Sequence, residues 1–170
     1  MQKVIALLFS CLLLNICSCQ NTDMPGEENQ IMEEDQTTVI ADPENQAVIT
    51  NVEVSGTENN YTFNVTIKSP DTGCDQYADW WEVFDQDGNL LYRRILGHSH
   101  VSEQPFTRSG GPVNISKDQF VYVRAHMNPS GYGSYVFSGT VAGGLKAETI
   151  GVSIAAELEK TAPLPKNCAF

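Results

Sequence analysis

The sequence predicts an all-β sandwich of about seven antiparallel strands over residues 47–170. Three observations predict it. Short segments of alternating apolar and polar residues recur at regular spacing, clusters of glycine, asparagine and proline separate them, and no long stretch has helical periodicity. The chain has 170 residues, of which 41% are hydrophobic and 18% charged. That balance excludes a wholly disordered chain and a multi-span membrane protein, and leaves one domain large enough to bury a core.

The first strand is read at residues 47–54, which are rich in Val and Ile, and the second at residues 61–68, where alternation is cleanest. Gly56 and Asn59-Asn60 supply the turn between them. Residues 79–84 carry Trp80, Trp81 and Phe84, and Asp87-Gly88-Asn89 turns them into a strand at residues 90–96. An Asp-Gly turn between apolar runs is the strongest short-range hairpin signal. Residues 120–127 and 134–141 give two further strands, joined by a loop over residues 128–133 that contains Pro129, Gly131 and Gly133. Weaker strands are expected at 113–115 and 149–154, and a short helical stretch at 155–160. Ser109-Gly110-Gly111-Pro112 reads as a loop. The first expectation for topology is immunoglobulin-like or fibronectin-like.

In such a sandwich one of Trp80 and Trp81 fills the inter-sheet core. Neighbouring residues on a strand point to opposite faces, so the other is expected to face outward, either under a second layer or as part of a ligand surface with Tyr132 and Tyr135.

Met1 to Lys3 carries one positive charge, and residues 4–14 form an apolar run of eleven, the pattern of a secretory signal peptide. The run is too short to span a bilayer, which takes about 20 residues. Ile16-Cys17-Ser18-Cys19 follows. This stretch resembles the lipobox of bacterial lipoproteins, with Ile16 three residues before Cys19 and the small Ser18 directly before it. Asn15 and Cys17 depart from that pattern. The resemblance covers about 20 residues and implies cleavage after residue 18, leaving a mature chain anchored in a membrane of the cell envelope by lipid on Cys19, acyl chains such as palmitate included. Several chains hold firmly, since each buried CH₂ contributes about 0.8 kcal/mol. Plain secretion is the alternative.

Residues 20–46 hold eight of the 21 acids, no Lys or Arg, and no aromatic residue. They read as a disordered tether reaching on the order of 30 Å. The formal net charge of −11 therefore belongs mostly to the tether. No basic run exists, so a nucleic-acid partner is not expected. Past residue 19 the only cysteines are Cys74 and Cys168, and in an exported chain a disulfide between them is the natural assignment.

His98 and His100 are two of three histidines. If extended, their side chains share a face, the arrangement by which His-x-His pairs ligate copper or zinc; His126, Glu103 or Met127 would complete the set. The competing reading is polar loop histidines with no metal. No Gly-x-Ser-x-Gly elbow, His-Glu-x-x-His or phosphate loop is present. The residues thus point first to a non-enzymatic envelope module, without cofactor, that binds a protein or polysaccharide. A copper- or zinc-binding protein is the alternative.

Overall fold

Nine strands follow in chain order in the computed structural model, which describes residues 43–169. They are β1 (Val48–Thr57), β2 (Asn60–Lys68), β3 (Tyr77–Asp85), β4 (Leu90–Ile95), β5 (Phe106–Val113), β6 (Val121–Asn128), β7 (Gly131–Tyr132), β8 (Tyr135–Thr140) and β9 (Gly144–Thr149). Short 3-10 turns lie at Pro43–Asn45 and Ala156–Lys160. The signal-like run, Cys19 and most of the acidic tether lie outside the described residues.

Two antiparallel sheets face each other. One has the order β1-β2-β5 and the other β4-β3-β6-β8-β9, with β7 pairing the remaining length of β6. Alternation on β2 buries Tyr61, Phe63, Val65 and Ile67, and these meet Trp81, Val83, Val121, Val123, Ala125 and Met127 from the second sheet. Burying side chains of this size stabilises by roughly 1.5–3 kcal/mol each.

β1 and β2 form the expected hairpin, with register from Val48 opposite Lys68 to Thr57 opposite Asn60. β1 runs on to Thr57, so the turn is tighter than expected. Asn59 takes φ 66° there, a left-handed conformation that Asn tolerates better than most residues.

β5 corrects the sequence reading. Residues 109–112 are strand, because β5 pairs with β2 from Phe106 opposite Ile67 to Val113 opposite Tyr61. Gly110 is demanded by its neighbours in the facing sheet. A Cβ there would sit 2.7 Å from both Trp81 and Tyr92, so the bare backbone is what lets β5 lie over the indole.

The last strand is also shifted. β9 occupies Gly144–Thr149 and pairs with β8 through a tight turn, in which the Gly143 N–H donates to Thr140 Oγ1 at 2.9 Å. Residues 150–169 then leave the sheet and cross its outer face as a strap. Cys168, near the end of the strap, is bonded to Cys74 with Cα atoms 5.6 Å apart.

The strap explains β3, whose residues from Tyr77 to Phe84 are all buried. Trp81 and Val83 point into the sandwich, while Trp80 and Phe84 point outward into a second apolar cluster with Tyr132 and Leu158. Strands covered on both faces lose the alternation that marks a half-exposed strand.

Candidate functional site

The outer face of the second sheet carries a buried ionic cluster. Glu82 on β3 stands opposite Arg93 on β4 and Arg124 on β6. All three side chains are essentially inaccessible to solvent. Arg93 Nε donates to Glu82 Oε2 at 2.8 Å and Arg124 Nε to Glu82 Oε1 at 2.8 Å. Trp80 Nε1 donates to Glu82 Oε2 at 3.1 Å.

One carboxylate cannot neutralise two guanidinium groups, and strap carbonyls take up the remaining donors. Arg93 reaches Leu158 O at 2.6 Å and Pro163 O at 3.0 Å, and it also binds Thr161 O. Arg124 reaches Ile154 O and Ala155 O, both at 2.7 Å. Its guanidinium also lies 3.4 Å from the centroid of the Tyr132 ring, and Arg93 lies 4.6 Å from that of Trp80. Burial beside Glu82 pushes the Tyr132 hydroxyl well above its ordinary range. The trio therefore docks the strap by its backbone.

Of the two readings of the outward tryptophan, this arrangement agrees with cover by a second layer and takes Trp80, Trp81 and Tyr132 out of the expected ligand surface. Trp80 is 3% exposed, Trp81 0% and Tyr132 5%, whereas Tyr135 is 40% exposed. The outward tryptophan is real in direction, but the strap covers it.

The expected metal set divides. His126 lies on Trp80, with ring centroids 3.6 Å apart and planes 7° from parallel. Its Nδ1 is 2.6 Å from Asp79 Oδ1 and its Nε2 3.5 Å from Glu159 Oε1. His98 and His100 lie together after β4, with ring centroids 4.4 Å apart. Glu103 accepts from Arg108 at 2.7 Å, an interaction that holds its carboxyl below the usual range. Met127 is fully buried in the core between the sheets. Among the described residues no group of three His, Cys, Asp or Glu has metal-holding geometry.

A polar cleft of about 420 Å³ opens where the end of the strap meets the sheet. Tyr77, Asp79, Asn128, Glu159 and Lys166 line it beside the disulfide. Burial, then Asp79 and Asp71, raise the Tyr77 hydroxyl above its ordinary range. The cleft thus offers protonated phenol, amide, ammonium and carboxylate groups on a braced rim, a donor and acceptor set suited to polar recognition.

Comparison with known proteins adds a limited likeness. A protein of Halomicrobium mukohataei carrying the name "Putative lipoprotein" is 45% identical over 71 residues, 42% of this chain. The chain spans about a third of that relative's length, since the match covers 35% of it. No protein-family description matches the sequence, and no solved structure matches it.

From sequence, Arg93 and Arg124 read as dispersed cations that pair on strand faces, and both do pair, with Glu82. What the sequence did not show is that one carboxylate serves both and that the strap docks there, because only the register sets Glu82 between the two arginines. One signal was present: Glu82 interrupts an otherwise apolar and aromatic run between Trp80 and Phe84.

Proposed function

We propose that this protein is a lipid-anchored lipoprotein of the cell envelope whose β-sandwich serves as a non-enzymatic recognition module. The observation that carries the anchoring is the Ile16-Cys17-Ser18-Cys19 stretch behind an eleven-residue apolar run. The name of the Halomicrobium mukohataei relative supports it. Lipid on Cys19 fixes the chain to a membrane, and the acidic residues that follow space the domain from the surface. The polar cleft beside the Cys74–Cys168 bond supports the recognition role, with an envelope protein or polysaccharide as ligand.

Metabolic labelling with an alkyne fatty acid tests the anchor. The chain is expected to take up label and sediment with membranes, and Cys19→Ala to lose both. Label retained in Cys19→Ala overturns the anchoring at that residue. For recognition, the purified chain is expected to co-sediment with an insoluble envelope polysaccharide or capture a purified envelope protein, and Asn128→Ala with Lys166→Glu to weaken that binding. Binding indifferent to both changes removes the cleft from the reading.

A further inference from the structure

The His98–His100 corner carries an observation that the fold itself does not use. His100 is fully buried, its side chain 1% exposed, yet neither Nδ1 nor Nε2 has a hydrogen-bond partner. Buried imidazoles ordinarily give their N–H a partner. The nearest carboxylate, Asp71, stands 3.9 Å from Nδ1 and is committed elsewhere. Its Oδ2 accepts from the His100 backbone N–H at 2.7 Å and from Ser99 Oγ at 3.4 Å. Its Oδ1 accepts from Ser69 Oγ at 2.6 Å and from the Ala78 N–H at 3.0 Å. Asp71 therefore positions the His100 backbone and leaves the ring free.

Two further contacts place the ring. One partner is Phe106, stacked at 3.8 Å between centroids, and the other is His98 at 4.4 Å. His98 is exposed, and its backbone is held through a parallel bridge to Ala169 beside Cys168. The pair thus joins a buried imidazole with two bare nitrogens to a solvent-facing one on braced backbone. Two imidazoles bound cis to one ion, with metal–nitrogen distances of about 2.0 Å, have centroids roughly 4.5–5 Å apart. The observed spacing is nearly that already.

We infer that His98 and His100 form a two-histidine site for a divalent ion that favours imidazole, copper(II) foremost, with water in its remaining positions. Imidazole pairs suit copper and zinc, and copper(II) binds a given nitrogen site more tightly than zinc. The inference is independent of the polar cleft and of the lipid anchor. His126 takes no part, being engaged by Asp79 and Trp80.

The test is titration of the full-length chain, purified in detergent, with copper(II) followed by calorimetry and electron paramagnetic resonance. One equivalent with the signature of two nitrogen ligands is expected. Because His100→Ala risks misfolding at a core position, the exposed His98→Ala carries the decision. It is expected to weaken binding at least tenfold with an unchanged thermal midpoint, whereas His126→Ala leaves binding unchanged. Binding that survives in His98→Ala, as at an N-terminal amine, or that is lost in His126→Ala, overturns the site, as does wild-type binding no tighter than that of His98→Ala.

Discussion

Glu82 decides whether two buried cations are tolerated. With it, each guanidinium has a carboxylate partner; without it, both depend on carbonyl dipoles and on the faces of Trp80 and Tyr132. Removing one member of a buried ionic group costs about 3–5 kcal/mol, because the charge left behind stays desolvated. Glu82→Gln is expected to lose that much in urea unfolding, while Glu53→Gln on the exposed face of β1 changes stability by less than about 0.5 kcal/mol. His100 sets a pH dependence of definite sign. Its pKa is lowered in the folded chain by burial, Arg108 and His98, so the unfolded chain binds the proton more readily. Its contribution is complete above the ordinary histidine value of 6.5 and is lost as pH falls through the lowered value. Unfolding midpoints measured between pH 7.5 and pH 5 should fall with pH, and His100→Gln should flatten that slope.

Among the elements, the β3–β4 hairpin shows a turn written directly into sequence. Asp85 accepts from the Asp87 N–H at 3.0 Å, the Asn89 N–H at 2.8 Å and Asn89 Nδ2 at 3.0 Å. Burial opposes ionisation, but these bonds prevail and hold its carboxyl below the ordinary range. Asp85→Ala is expected to destabilise by about 1–2 kcal/mol, read from the thermal midpoint, with the loss reduced below the carboxylate's own titration. Such local signals explain why β2, β3, β4, β6 and β8 were legible: alternation and Asp-Gly chemistry act within a few residues. β5 was not, since Gly110 answers to Trp81 and Tyr92 in the facing sheet, and sequence neighbours give no hint of that demand. β9 slipped by about five residues because Gly143 and Gly144 serve a turn that only the pairing with β8 defines. The site followed the same division. The His98–His100 pair was visible from its spacing, whereas the Glu82 trio needed the register of three strands, and only the path of the strap decided between the two readings left open for the outward Trp80.

For the whole molecule, the disulfide joins the loop after β2 to the end of the strap across 94 residues. Chain-entropy reasoning assigns a loop of that length about 4–5 kcal/mol. Cys168→Ser, or the wild type under reductant, is expected to unfold at lower denaturant by up to that amount, and hydrogen exchange should rise first around Leu158 and Trp80. The domain then rests on the sandwich between its sheets, with the second apolar cluster loosened. The strap's attachment has a consequence for how this chain can change over time. Arg93 and Arg124 grip main-chain oxygens of Ile154, Ala155, Leu158, Thr161 and Pro163, and every amino acid carries a carbonyl. Leu158, whose side chain is buried, and Ala155, which takes φ 50° and packs on the second apolar cluster, are held by more than their carbonyls; the other three positions are free to drift in sequence while their path is preserved. Descendants of this fold should keep the two arginines, the glutamate and the two cysteines long after residues 150–165 have lost any similarity that an alignment would find.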